Sequence, residues 1–218
     1  MALKAIVLSH RDVADELGHI GGWLKDSGFS IERVYREDDP TIPDGDLLVV
    51  LGSPNSVAAG HCLPPAEAEI DAVRAWVSAD RPYVGVCFGA QVLARAFGGS
   101  VSRMEHTYRD YVDFQLADGA PSALEGRWAV WHEDAITAPG ESEVLARLSH
   151  ADTVFRIGRA WGLQPHVEFD ATIVRNLGDV VRIPEEQWLP LHRALSDDDA
   201  GHASRSRALL DHIAADIL

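Results

Sequence analysis

Tyr83-Val84-Gly85-Val86-Cys87-Phe88-Gly89-Ala90-Gln91 is an apolar run of strand length that breaks into a small-residue turn around a single cysteine. Pro82 ends a helix-like segment before it, and Val92-Leu93-Ala94-Arg95-Ala96-Phe97 continues at helical spacing to a stop at Gly98-Gly99. Tyr83 to Val86 therefore reads as a short buried strand, with Cys87 where the strand becomes a helix. A nucleophile on such a turn has room around it, left here by Gly85 and Gly89, and the N–H groups of the helix start point toward it. Those groups and the positive end of the helix dipole favour thiolate over thiol and can stabilise an oxyanion beside the sulfur. A lone cysteine is more commonly a small core residue, so the rest of the chain has to decide between the two readings.

The rest of the chain supplies strands and helices in alternation. Lys4 to Ser9 reads as a buried strand, followed by an Asp12-capped helix with Val13, Leu17, Ile20 and Leu24 on one face, weakened by Gly21-Gly22. Ser30 to Tyr35 alternates like a half-buried strand, Glu37 to Gly45 is an acidic, proline-containing loop, and Asp46 to Leu51 is continuously apolar, as a central parallel strand is. Pro64-Pro65 starts a helix that buries Ile70, Val73, Trp76 and Val77 and delivers the chain to Tyr83. This order predicts an α/β fold, a doubly wound, mostly parallel sheet with flanking helices. Ligands of such sheets bind at the carboxyl ends of strands, where both Gly52-Ser53-Pro54 and Cys87 fall. Between Ser100 and Gln164 shorter segments (112–116, 128–131, 153–157 and 160–164) predict a small antiparallel or mixed strand region beside the parallel core. Two helices, about 185–195 and 204–217, joined by Ser196 to Gly201, close the chain. No boundary divides it, so residues 1–218 are expected to form a single domain.

With 34 acidic against 19 basic residues and no lysine or arginine run, the chain offers no stripe for nucleic acid or anionic membrane. No apolar run is long enough to span a bilayer, and the start of the chain lacks a signal peptide, which predicts a cytoplasmic protein. A disulfide between Cys62 and Cys87 would remove the proposed nucleophile and is disfavoured in a reducing compartment. The histidines are scattered without metal-ligand spacing, so neither metal nor cofactor is expected; His10, His19, His61, His106, His150, His192, His202 and His212 read as surface residues.

Gly85-Val86-Cys87-Phe88-Gly89-Ala90-Gln91 resembles the nucleophile motif of the class I, triad-type glutamine amidotransferases, in which the cysteine attacks the glutamine side-chain amide. Leu51-Gly52-Ser53-Pro54-Asn55-Ser56-Val57 resembles that family's oxyanion loop, and Gly162-Leu163-Gln164-Pro165-His166-Val167-Glu168 its histidine segment. The three occur in the family's order across most of the chain, and the arrangement looks most like the amidotransferase domain of GMP synthase and its stand-alone relatives.

An amide-cleaving cysteine enzyme needs a thiolate, a base that later acts as acid, a group to orient the base, and oxyanion donors. The resemblance implies Cys87 as nucleophile, His166 as base and acid, and Glu168 as its orienter. In an extended segment, residues two apart project to one side, so the last two can face one pocket. It implies oxyanion donors at the Phe88 backbone N–H and in the turn of Gly52 and Ser53. Gln91, His132 and Asp134 fall where the family holds its substrate, L-glutamine. Three positions depart from the family pattern: Ser53 replaces a glycine, which would be strained at positive φ, Pro165 replaces a phenylalanine before the histidine, and Val167 a proline after it. The chain has neither a Ser-Gly-Gly-x-Asp-Ser pyrophosphatase loop nor a Gly-x-x-x-x-Gly-Lys phosphate loop. The expected ammonia acceptor is therefore a separate synthetase partner. The alternatives are a cysteine hydrolase of γ-glutamyl amides or peptides that needs no synthetase, and a catalytically silent binding or regulatory module; retention of Cys87, His166 and Glu168 together argues against the last.

Overall fold

The computed structural model describes residues 3–11, 17–38 and 41–218. Strands β1 (Lys4–Ser9), β2 (Ser30–Tyr35), β3 (Leu47–Val50) and β4 (Tyr83–Val86) alternate with helices α1 (Gly18–Asp26), α2 (Pro64–Ser78) and α3 (Phe88–Ala96). Strands β5 (Ser100–Asp113), β6 (Gln115–Leu116), β7 (Arg127–Thr137), β8 (Glu143–Leu148), β9 (Ala151–Ile157) and β10 (Ala160–Leu163) follow, then helices α4 (Ala171–Val180), α5 (Glu185–Asp197) and α6 (Asp199–Ile217). One sheet has the order β2-β1-β3-β4-β10-β9-β8-β6, and β5 and β7 form a separate antiparallel ribbon. The sheet is parallel from β2 through β10 and antiparallel beyond, the doubly wound, mostly parallel α/β architecture that the sequence predicts.

Strand alternation divides the core. Ala5, Val7, Leu47 and Val49 face α1 and α6, meeting Ile20, Leu24, Leu209 and Ile213, whereas Ile6, Leu8, Leu48 and Val50 face α2 and α3, meeting Ile70, Val73, Val92 and Leu93. Because both faces are covered, β1 is apolar from Ala5 to Leu8 and β3 along its whole length. A third cluster joins the ribbon to α4 and α5 through Tyr111, Ala129, Phe169, Val174, Trp188 and Leu191.

The sequence reading differs in four places. The Asp12 cap and Val13 lie outside the described residues, while Leu17 precedes α1 and Ile20 and Leu24 are buried on it. Strands β5 and β7 run well past the expected segments: of β5 only Val101 and Tyr111 are buried, so most of it carries no apolar pattern, and β7 continues beyond 131 through the buried polar residues His132 and Asp134. Helix α4 is an addition; its N-cap Asp170, whose side chain accepts from the Ile173 N–H at 2.8 Å, was its sequence signal. The expected linker at 196–201 is helical, Asp198 forming the junction of α5 and α6.

Candidate active site

Parallel pairing of β10 with β4 brings the ends of both strands together, Leu163 opposite Val86, and the Cys87 N–H donates to the Leu163 carbonyl at 2.7 Å. Cys87 has φ 51° and ψ −104° and forms the turn into α3. Such a turn requires backbones to touch. A Cβ on Gly89 would lie 2.2 Å from the Val50 carbonyl oxygen of β3, and one on Gly85 would lie 2.5 Å from the Gly89 carbonyl carbon. The Gln91 N–H donates to the Cys87 carbonyl at 3.1 Å, closing the first helical turn. The N–H groups of Phe88, Gly89 and Ala90 precede that bond and have no carbonyl one turn back to reach.

The segment after β10 carries His166 and Glu168 to the same place. Its backbone is pinned by the His166 N–H donating to the Ala129 carbonyl of β7 at 2.8 Å, so Pro165 and Val167 leave the histidine anchored. The His166 ring stacks on Phe169, centroids 3.9 Å apart, and its Nδ1 lies 2.7 Å from Glu168 Oε1. Its Nε2 lies 3.2 Å from the Trp131 carbonyl oxygen, and Cys87 Sγ lies 3.6 Å from that same oxygen. Both ring nitrogens therefore face acceptors, which suits the doubly protonated imidazolium. Burial opposes that charge, but Glu168 and Cys87 outweigh it and raise the His166 pKa to about 10.

Gly52 faces this pair: a Cβ there would sit 3.3 Å from His166 Cε1 and 3.8 Å from Cys87 Cβ. Ser53 is not among the residues with positive φ, so serine occupies this position without backbone strain. Its hydroxyl lies 2.7 Å from His10 Nε2 and accepts from the Asn55 N–H at 3.0 Å, while His10 Nδ1 lies 2.7 Å from Glu37 Oε1. His10 is thus part of the site and not a free surface residue; burial and the nearby Arg36 lower its pKa. A cavity of about 510 Å³ opens here, lined on one side by Cys87, His166, Gly52, Ser53 and His10, and on the other by Ile173, Leu177, Val180 and Val181 of α4 and its end.

Residues 23–172 match the family model described as glutamine amidotransferase class-I. The chain belongs to the class-I glutamine amidotransferases. It is 25% identical over 190 residues to a subunit of the glutamine-hydrolyzing GMP synthase of Halobacterium salinarum, covering 86% of this chain and 85% of that protein. It is 30% identical over 147 residues to the glutamine-hydrolyzing GMP synthase of Thermus thermophilus, a match that covers 61% of this chain and 29% of that longer protein. A glutamine amidotransferase of Thermotoga maritima has the same fold, with TM-score 0.85 at 18% identity and 98% of both chains covered.

In this amidotransferase Gln91, His132 and Asp134 are at most 4% exposed and do not line the cavity. Gln91 Nε2 approaches Gln164 Oε1 at 3.5 Å, His132 Nδ1 lies 2.8 Å from the Asp134 carbonyl oxygen, and Asp134 Oδ2 accepts from the Ser56 hydroxyl at 2.6 Å. Cys87, His166, Glu168, Gly52 and Ser53 are thus brought together at the cavity, while these three are buried outside its lining. Arg36, Glu69, His10 and Glu37 were not singled out by sequence, since lone charged residues near strand ends and in helices carry no motif. The one signal was the place of Arg36 directly after the half-buried strand β2, at its carboxyl end. Cys62 and Cys87 are both free thiols. No helix among the described residues is long and apolar enough to cross a membrane.

Proposed function

We propose that the protein hydrolyses the side-chain amide of L-glutamine through Cys87, His166 and Glu168 and passes the ammonia to an acceptor on a separate synthetase partner. The observation that carries this reading is the meeting of Cys87 and His166 at one carbonyl oxygen, with Glu168 on the far ring nitrogen. In the reaction, the Cys87 thiolate attacks the amide carbon and the negative charge moves to the carbonyl oxygen. The Phe88 N–H and those of Gly52 and Ser53 receive that charge. The His166 imidazolium gives its Nε2 proton to the amine as the C–N bond breaks, leaving a γ-glutamyl thioester and ammonia. Water then attacks the thioester, His166 takes its proton, and the thiolate departs as glutamate forms. Glu168 keeps the ring oriented and its charge favourable throughout. Gln91, His132 and Asp134, buried and outside the cavity lining, would support the substrate site without touching the substrate.

The partner reading rests on likeness to a GMP synthase subunit that spans nearly the same length. The size and apolar α4 wall of the cavity favour a second reading, hydrolysis of a γ-glutamyl amide with an apolar amine; pockets of this volume accommodate ligands larger than a free amino acid.

The test is labelling with a diazoketone analogue of glutamine, read by mass spectrometry with Cys87→Ser as control. An adduct on Cys87 that glutamine suppresses is the expected outcome. Absence of an adduct with the thiol free, together with turnover of γ-glutamyl anilides, would replace the first reading with the second.

A further inference from the structure

The loop that faces Cys87 is held from behind by a buried ion pair that neither composition nor motif announces. Arg36 Nε and Nη2 donate to Glu69 Oε2 and Oε1, both at 2.9 Å, with the two side chains 7% and 8% exposed. The same guanidinium donates through Nη2 to the Leu51 carbonyl at 3.1 Å and through Nη1 to the Gly52 carbonyl at 3.2 Å. It also lies over the Phe88 ring, 4.9 Å from the centroid. Arg36 therefore touches both halves of the candidate oxyanion hole.

The peptide plane couples the held carbonyls to the donors. In a trans peptide the C=O and N–H point in opposite directions. In an extended strand successive carbonyls alternate sides, yet here one guanidinium holds two in succession. The N–H groups of the same two peptide units, those of Gly52 and Ser53, are thereby turned to the opposite side, and successive N–H groups on one side make an anion-binding concavity. Gly52 and Ser53 line the cavity beside Cys87, and among the described residues no backbone or side-chain acceptor takes either N–H. The next residue of the β2 turn adds a second hold, because Glu37 fixes His10 and His10 fixes the Ser53 hydroxyl.

We propose that Arg36, paired with Glu69, is the positioning residue of the oxyanion loop, holding the Leu51 and Gly52 carbonyls so that the Gly52 and Ser53 N–H groups face Cys87 before any partner binds. This rests on the glutaminase reading above. It implies that the isolated chain hydrolyses glutamine, its donors being set by its own side chains. The planar fork is essential, since the guanidinium makes four bonds, two to Glu69 and one to each carbonyl, whereas an ammonium has three donors on a single atom.

The experiment measures glutamine hydrolysis by the isolated protein, wild type against Arg36→Lys and against Arg36→Met combined with Glu69→Leu. The double variant replaces a buried ion pair by an apolar pair, an exchange that folded proteins commonly tolerate. Expected is a fall in kcat on the order of 10²-fold, the effect of losing an oxyanion donor, with KM within about threefold. Alkylation of Cys87 by iodoacetamide, which develops no oxyanion, is expected within about twofold of wild type. Full kcat in the double variant would overturn the proposal, as would loss of turnover and alkylation together, which marks general disruption. A wild-type chain that takes the diazoketone on Cys87 but turns over only with a synthetase would also overturn it. A wild-type chain that neither turns over nor takes the label would instead remove the glutaminase reading on which the proposal stands.

Discussion

Cys87 sits at φ 51° and ψ −104°, a region that L side chains enter only when neighbours enforce it, at about 1–3 kcal/mol. That cost yields a prediction whose sign is unusual. At an ordinary position glycine is less stable than alanine by about 0.5–1 kcal/mol; here Cys87→Gly should be the more stable of the two. By thermal melting the glycine variant is expected several degrees above Cys87→Ala, at about 2–4 °C per kcal/mol for a chain of this size, and the reverse order would show that the turn is unstrained. The neighbouring charge gives a second prediction. Burial opposes the His166 charge, but Glu168 and Cys87 outweigh it and raise the pKa to about 10, so the ring is an imidazolium at neutral pH and, on the mechanism proposed above, the acid that protonates the leaving amine. The alkaline limb of kcat is then expected near pH 10. Glu168→Gln removes a negative neighbour, weakens the imidazolium and moves that limb to lower pH, besides lowering kcat; a limb that stays put would assign it to another group.

At the scale of elements, the elbow depends on strand and helix backbones in contact. Gly89→Ala would set a Cβ 2.2 Å from the Val50 carbonyl oxygen, and no side chain there can move aside. A loss of more than about 3 kcal/mol is expected by urea unfolding, at the severe end of single substitutions. Gly22, inside α1 with nothing within 4 Å of an added Cβ, is the opposite case: Gly22→Ala should stabilise by about 0.5–1 kcal/mol. Gly85 and Gly89 were legible because a cysteine that merely fills the core does not call for small residues on both sides of it at a strand-to-helix junction. The parallel strands were legible because β1, β3 and β4 are apolar on both faces. The ribbon of β5 and β7 was legible only in fragments, since its polar stretches look like loop until a partner strand is known. Arg36 and Glu69 stand 33 positions apart, and only the folded chain places them behind Gly52. His202 was read as a surface residue and is 1% exposed among the rings of His19, Tyr111 and Trp128; a lone histidine in a polar stretch of helix gives no warning of that.

For the whole molecule, buried histidines of opposite sense set the pH range in which the fold is strongest. The His202 pKa is lowered to about 4, by burial first and then by the charges of His19 and Arg205. The His132 pKa is also lowered to about 4, chiefly by burial, against an unfolded value near 6.5. Above pH 6.5 both are neutral in either state and their contribution is complete. As pH falls from 6.5 toward 4 the unfolded chain takes up protons that the folded chain refuses, and stability declines, by on the order of 3 kcal/mol for each group once both states are protonated. His166 acts in the other direction: its raised pKa contributes fully below about pH 6.5, and that contribution is lost as pH rises through about 10. The net charge of −15 complicates a simple acid titration, because approaching the isoelectric point near 4.9 relieves self-repulsion and partly offsets the histidine loss. A difference measurement removes that common background. Urea unfolding of wild type and His202→Leu between pH 7 and pH 4 is expected to converge in acid, the variant losing less stability than wild type by about 2–3 kcal/mol. Parallel curves would mean that His202 takes up its proton as readily in the folded chain as in the unfolded one, or opens locally before the fold does.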